Sequence, residues 1–226
     1  MSTIAVQTEL IRSRIAEAAA SCSRNPDDVI LMAVTKTRCI DQIKEVIQCG
    51  VTCIGENRVQ ELQEKAPKVN PSQLHLIGPL QSNKVKPAVQ HSTCIQTVER
   101  EKILVKIDMH SRELGKILDI MIEVNTSGEL NKHGVRSRDD LLHLIELSLE
   151  LEHVRLTGLM TMGPLEGDER AVRTSFSSLY ETREQLVSRY PELKGRLLLS
   201  MGMSGDFELA VREGSDLVRI GSAFFT

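Results

Sequence analysis

VILMAVTKTR, residues 29–38, is the part of the chain that indicates the fold most directly. Its first six residues are all apolar, which is typical of a short strand that is buried on both faces. Lys36, Thr37 and Arg38 follow this run closely, and no glycine stands among them. An open doubly wound sheet favours a glycine-rich turn of the form G-x-G-x-x-G after its first strand. The stretch therefore argues against that fold and favours a closed barrel of parallel strands.

Short apolar runs alternate with longer amphipathic segments along the rest of the chain. The predicted strands are residues 29–35, 52–55, 74–78, 93–98, 120–125, 155–161, 197–201 and 217–220. The predicted helices between them are residues 40–49, 58–65, 84–90, 101–118, 138–149, 168–190 and 206–213. Alternation of this kind indicates right-handed βαβ units and a parallel sheet. We therefore predict one α/β domain over residues 1–226, a TIM-type (β/α)8 barrel. An amphipathic run at residues 3–22 predicts an extra N-terminal helix.

The composition is typical of a globular protein and excludes several classes of function. Hydrophobic residues make up 41% of the 226 positions and aromatic residues only 3%, so the core must be aliphatic. The net charge is -3 and no long run of Lys and Arg occurs, which argues against nucleic-acid binding. The five cysteines form no C-x-x-C pair and the histidines lack metal-ligand spacing, so we expect reduced thiols and no metal. Without a signal sequence or a membrane-spanning run, we expect a cytoplasmic protein.

Lys36 is the most unusual residue of the pattern, because it stands at the end of a wholly apolar strand. In a barrel this position lies at the mouth formed by the carboxyl ends of the strands, where such folds keep their chemistry. We expect the side chain to be partly desolvated there, which favours the neutral amine. A neutral lysine amine forms Schiff bases with aldehydes. The position alone also fits a lysine that merely extends from a strand end to water.

Two later strand ends carry small and hydroxyl-bearing residues. Residues 200–206 read SMGMSGD and residues 219–222 read RIGS. Glycines let a ligand approach the backbone closely, and amide N–H groups before a helix attract an anion. The loops after strands seven and eight of a barrel are a recurrent phosphate site. A phosphate site together with a lysine at the mouth indicates a phosphorylated aldehyde, and pyridoxal 5'-phosphate fits that description.

The same residues resemble a known family, and the resemblance runs in order over almost the whole chain. The matching motifs are AVTKT at 33–37, IGENRVQE at 54–61, HLIGPLQSNK at 75–84, EVN at 123–125, GLM at 158–160, LSMGMSGD at 199–206 and VRIGS at 218–222. The chain resembles the YggS/PROSC family of pyridoxal phosphate homeostasis proteins. The resemblance implies a fold-type III barrel similar to the N-terminal barrel of alanine racemase. The chain departs from the family pattern at residues 96–99, a loop to which we assign no role.

The resemblance implies a role for each of eight residues. Lys36 would carry pyridoxal 5'-phosphate as a Schiff base, and Arg219 would face the pyridine nitrogen. Asn57 and Met201 would lie near the ring. The phosphate would be held by Ser204, Gly205, Gly221 and Ser222.

The function implied by the resemblance is pyridoxal phosphate homeostasis, in which the protein buffers the cofactor or delivers it to recipient apo-enzymes without turnover. A racemase needs a second acid/base on the ring face opposite the lysine. Neither of the two tyrosines, Tyr180 and Tyr190, is expected to supply this acid/base, because both are expected to lie away from the mouth. An arginine beside the pyridine nitrogen would keep it unprotonated and the ring a poor electron sink. An amino-acid racemase or lyase with an unrecognised acid/base stays open as an alternative, and so does an interaction module that the cofactor only stabilises. We expect a monomer.

Overall fold

The computed structural model describes residues 2–225, and these residues form a closed barrel of eight parallel strands in chain order. The strands are β1 Ile30–Val34, β2 Cys53–Glu56, β3 Gln73–Leu76, β4 Cys94–Val98, β5 Leu118–Glu123, β6 Val154–Met160, β7 Leu198–Met203 and β8 Leu217–Ile220. Pairing of β1 with β8 closes the barrel, with Ala33 opposite Ile220. The predicted (β/α)8 barrel is confirmed, because all the carboxyl ends of the strands meet at one mouth.

Eight α-helices of the described residues surround the barrel. They are α1 Thr3–Ser21, α2 Ile40–Gln48, α3 Val59–Lys65, α4 Val85–His91, α5 Glu101–Glu113, α6 Arg138–Glu150, α7 Glu169–Arg189 and α8 Phe207–Arg212. Short 3-10 helices occur at Pro26–Asp28, Pro191–Leu193 and Ser222–Phe224. Within the described part of the chain, no helix is both long and apolar enough to cross a membrane.

The N-terminal helix α1 is built into the ring of helices. It packs against both α8 and α2, and its buried face carries Ile11 and Ile15. Arg14 at its exposed edge donates to Glu208 of α8 at 2.8 Å. In a standard barrel a helix follows every strand. Here the described residues after β8 form only the 3-10 helix Ser222–Phe224, and α1 fills the gap. The predicted extra helix therefore completes the barrel.

The predicted end of the fifth helix is wrong. The sequence pattern extends it to residue 118, but α5 ends at Glu113. Gly115 follows with φ +61°, the left-handed conformation that commonly ends a helix. The Lys116 amide then donates back to the carbonyl of Ser111 at 3.1 Å. Leu118 is thereby freed to begin β5, where it is buried.

The main core lies between the barrel and the surrounding helices and is almost entirely aliphatic. Three phenylalanines on the helical side, Phe176, Phe207 and Phe224, are completely buried. Inside the barrel a smaller cluster is formed around Met32, Cys53 and Leu217. Polar side chains replace this cluster toward the mouth.

Candidate functional site at the mouth of the barrel

The ends of β1, β7 and β8 converge at one side of the mouth. The Gly221 amide after β8 donates to the Ser204 hydroxyl after β7 at 3.2 Å. A Cβ built on Gly221 would lie 3.6 Å from the Cβ of Val34, the last residue of β1. Lys36 stands two residues beyond Val34. The structure thus brings the lysine turn and both predicted phosphate loops together.

The glycines of these loops fall into two kinds. A Cβ on Gly205 would meet no atom within 4 Å, and on Gly221 its nearest contacts would be ordinary ones with Val34. Packing within the described chain therefore does not require glycine at either position. Gly202 differs, because its φ is +95° and an added Cβ would lie 2.5 Å from the Cβ of Ala210. Open space beside Gly205 and Gly221 fits a group that approaches the backbone from outside the protein.

Lys36 is exposed, so the expectation that the strand end desolvates it is wrong. It stands one residue beyond the buried Thr35, in a turn that projects from the barrel. Ser222, on the loop after β8, is also exposed. Asn57 directly follows β2 and is half-buried. Its carbonyl oxygen would lie 2.0 Å from a Cβ on Gly78, so close backbone approach fixes its position.

Arg219 of β8 points into the interior of the barrel and is 3% exposed. Its Nη1 donates to the Ser200 carbonyl at 2.7 Å and to the Ser200 hydroxyl at 2.8 Å. Its Nη2 donates to the Thr161 carbonyl at 2.8 Å. Burial lowers the pKa of the guanidinium to about 10, which leaves it charged at neutral pH. The side chain is therefore a cation that strands β6 and β7 hold in a fixed orientation.

A polar layer beneath Arg219 was missed by sequence reasoning. Gln96 is completely buried, its amide lies 2.8 Å from His75 Nδ1, and its carbonyl oxygen accepts from the Ser200 hydroxyl at 2.7 Å. Residues 96–98 belong to β4, as the predicted strand 93–98 has them, and only Glu99 lies in the loop beyond it. Glu99 beyond the strand accepts from the Gly134 amide at 2.8 Å. The role of Gln96 could have been predicted, because a polar residue inside a run that is typical of a buried strand needs a hydrogen-bond partner.

Glu123, at the end of β5, is a second residue that the predicted site did not include. It is 2% exposed, and burial together with the nearby Glu99 raises its pKa to about 7. Arg219 and His133 act in the opposite direction. A buried carboxyl at the mouth of a barrel can take up or release a proton near neutral pH. The EVN motif at 123–125 includes this residue, but the resemblance implied no role for it.

Met201 lies apart from the other predicted residues. Its side chain is completely buried in the main core, in the same cluster as Phe207 and Ala210 of α8. The preceding Ser200 faces the interior, as its bond to Gln96 shows. Met201 can therefore contribute to a ligand site only through its backbone or by shaping β7.

The other side of the mouth holds a cleft of about 690 Å³ between the ends of β4 and β5. Its lining includes Glu99, Lys132, His133 and His143, but none of the eight predicted site residues. Among residues 2–225, no group of three or more His, Cys, Asp or Glu side chains could hold a metal ion.

Comparisons with known proteins show the family to which the chain belongs. The family described as alanine racemase, N-terminal domain, matches residues 6–226. A pyridoxal phosphate homeostasis protein from Vibrio alginolyticus is 38% identical over 232 residues, which cover 100% of this chain and 97% of the relative. The chain belongs to the pyridoxal phosphate homeostasis protein family.

Solved structures resemble this member of the pyridoxal phosphate homeostasis protein family over nearly its whole length. An unknown protein from Bifidobacterium adolescentis is 33% identical with a TM-score of 0.89, covering 99% of this chain and 94% of that one. PipY of Synechococcus elongatus, solved with pyridoxal phosphate bound, is 34% identical with a TM-score of 0.80. That likeness covers 94% of this chain and 100% of PipY.

Proposed function

We propose that this protein binds pyridoxal 5'-phosphate at the mouth of the barrel and buffers or delivers it within the cell. The observation that carries the proposal is the convergence of Lys36, Ser204 and Gly221, which lie on three different strand ends. PipY, which binds the same cofactor, has the same fold at 34% identity. Other members of the family are named for pyridoxal phosphate homeostasis.

Each site residue has a proposed role. The phosphate is bound by amides and hydroxyls of Ser204, Gly205, Gly221 and Ser222. Lys36 would hold the cofactor through its amine, because a lysine amine can form a C=N bond with an aldehyde and release one water. Arg219 would face the pyridine nitrogen, and its fixed charge would disfavour a proton on that nitrogen. Asn57 and the backbone of Met201 border the ring.

A carrier needs a site from which the cofactor can leave. Lys36 and Ser222 are exposed, and a Cβ on Gly205 would meet nothing within 4 Å, so the described residues leave this side of the mouth open. Both tyrosines lie elsewhere. Tyr190 directly follows α7, where its hydroxyl donates to Glu146, and Tyr180 packs against Gly214 before β8. These positions support binding and release over turnover.

One observation favours the alternative, an amino-acid racemase or lyase. Glu123 lies at the mouth, interacts with Arg219, and has a pKa of about 7. Such a carboxyl is poised to act as the second acid/base that a racemase requires. Exchange of the α-hydrogen of added amino acids for deuterium, lost in a Glu123→Gln variant, would support the enzyme. No exchange with any amino acid would support the carrier.

The binding proposal is tested by absorbance and chemical trapping. Protein incubated with pyridoxal 5'-phosphate should turn yellow, and borohydride should fix the adduct on the peptide that contains Lys36. A Lys36→Ala variant should remain unlabelled on that peptide. A protein that takes up no cofactor, or that is labelled equally at many lysines, would refute the site.

Delivery is tested by transfer. The loaded protein, which we propose acts as a cytoplasmic monomer, should activate an apo-aminotransferase in the presence of a trap that removes free cofactor. Light scattering gives the oligomeric state of the same sample. If activation is no faster than with free cofactor under the same trap, the protein binds but does not deliver.

A further inference from the structure

Three charged side chains, Glu56, Glu61 and Lys65, hold the turn that carries Lys36. Lys65 Nζ donates to the Thr35 carbonyl at 2.8 Å. The Thr37 amide donates to Glu61 Oε2, also at 2.8 Å. Both neighbours of Lys36 are therefore bonded to this group, which we call the ion triad.

The ion triad is held together by short contacts. Lys65 Nζ lies 3.0 Å from Glu56 Oε1 and 2.7 Å from Glu61 Oε2. The Thr35 hydroxyl donates to the same Glu56 oxygen. Glu56 is fully buried and Lys65 is 6% exposed, so two of the three charges are removed from water.

Global stability is a weak explanation for such a group. The desolvation of two charges can cancel their mutual attraction, so a buried ion pair often adds little to the free energy of unfolding. The second oxygen of Glu56, Oε2, is also buried and has no hydrogen-bond partner among the described residues, which is a further cost. The ion triad is expected to add little to the free energy of unfolding, yet it is bonded to the residues on both sides of Lys36. Its presence is therefore better explained by the backbone geometry that it imposes on this turn.

That geometry is a strained one. Thr37 has φ +64°, a left-handed conformation that β-branched residues rarely adopt. Strained backbone of this kind persists only where the surroundings impose it, and it gathers at functional sites. Two bonds hold it: the Arg38 amide donates to the Thr35 carbonyl at 3.1 Å, and the Thr37 amide donates to Glu61, which Lys65 orients.

We propose that Lys65 is a positioning residue, which through Glu56 and Glu61 directs the Lys36 amine toward the loops of Ser204 and Gly221. The proposal rests on the function proposed above. Lys65 acts on the backbone on either side of Lys36, directly at the Thr35 carbonyl and through Glu61 at the Thr37 amide. Without it, the turn can relax and the amine spends less time where an aldehyde held by its phosphate would lie.

The test compares two ligands, of which only one can react with the amine of Lys36. Pyridoxal 5'-phosphate requires the lysine, whereas pyridoxine 5'-phosphate carries an alcohol in place of the aldehyde and cannot react with it. In Lys65→Met, the Kd for pyridoxal 5'-phosphate should rise about tenfold, as expected for the loss of charge-assisted hydrogen bonds. The Kd for pyridoxine 5'-phosphate should change less than about twofold. A purely structural role would weaken both ligands alike.

Lys68→Met is the matched control, because Lys68 forms the same i,i+4 pair with Glu64 but at the surface. It should leave both affinities unchanged. If Lys65→Met does not fold, Thr35→Val removes one bond to the triad and should give the same split between ligands at smaller size. Equal changes for both ligands, or none, would overturn the inference. Absence of a Lys36 adduct in the unmodified protein would instead overturn the proposed function.

Discussion

Glu123 gives a stability prediction with a definite sign. Its carboxyl has a pKa of about 7 in the folded protein, against 4.5 for an exposed glutamate. At pH 5 the folded state therefore keeps a proton that most unfolded chains have lost. Because the folded state binds more protons between these two pKa values, the free energy of unfolding falls as the pH rises through them. From pH 5 to pH 8 this one group costs about 2–3 kcal/mol of stability.

Glu123→Gln removes the titration while keeping the shape of the side chain. The free energies of unfolding of both proteins, measured in urea at pH 5 and at pH 8 without ligand, give the double difference. The variant should gain about 2–3 kcal/mol relative to the unmodified protein over that range. Any effect of glutamine that does not depend on pH cancels. If the difference between the proteins is the same at both pH values, Glu123 is not a buried acid with a raised pKa.

Other predictions concern the glycines and an ion-pair network. Gly202→Ala should lower the free energy of unfolding by more than about 1 kcal/mol, because its positive φ and its contact with α8 both resist a side chain. Gly205→Ala should change stability by less than about 0.5 kcal/mol, yet weaken binding of pyridoxal 5'-phosphate in an absorbance titration. Asp216→Asn removes the carboxylate that pairs with Arg24 at 3.1 Å and Arg183 at 2.9 Å, and should cost about 1–3 kcal/mol in urea unfolding. Unchanged stability in Gly202→Ala or Asp216→Asn would contradict these packing arguments.

The sequence predicted the architecture well because local patterns carry it. Apolar runs of the right length and the missing glycines after residue 34 were enough for an eight-stranded barrel. The error at α5 has a simple cause. Ile117 and Leu118 continue the helical apolar spacing, and this outweighed the stop signal of Gly115. Ile117 is in fact 63% exposed, so its apolar character marked no buried helical face.

Only those site residues whose position follows from the order of the strands could be predicted from the sequence. Residues placed just after β1, β7 and β8 must share a mouth in any such barrel, which brings Lys36, Ser204 and Gly221 together without further information. The ion triad is different. Lys65 lies 29 residues beyond Lys36 on a helix, and nothing in the spacing shows that its amine turns inward to the Thr35 carbonyl. Contacts of that kind depend on how α3 packs, which the pattern of apolar residues does not specify.

The mouth combines a rigid floor with an exposed lysine, and this contrast supports a carrier. Arg219, Ser200, Gln96 and His75 form a continuous hydrogen-bonded chain across β8, β7, β4 and β3, with all four side chains buried. A ligand at the proposed site would meet Arg219 and Ser200 already oriented, so little ordering cost would oppose its binding. Lys36, by contrast, is open to water, which can reach and hydrolyse a bond made there. Oriented binding together with an accessible covalent bond is what the proposed reversible loading of a reactive aldehyde would require.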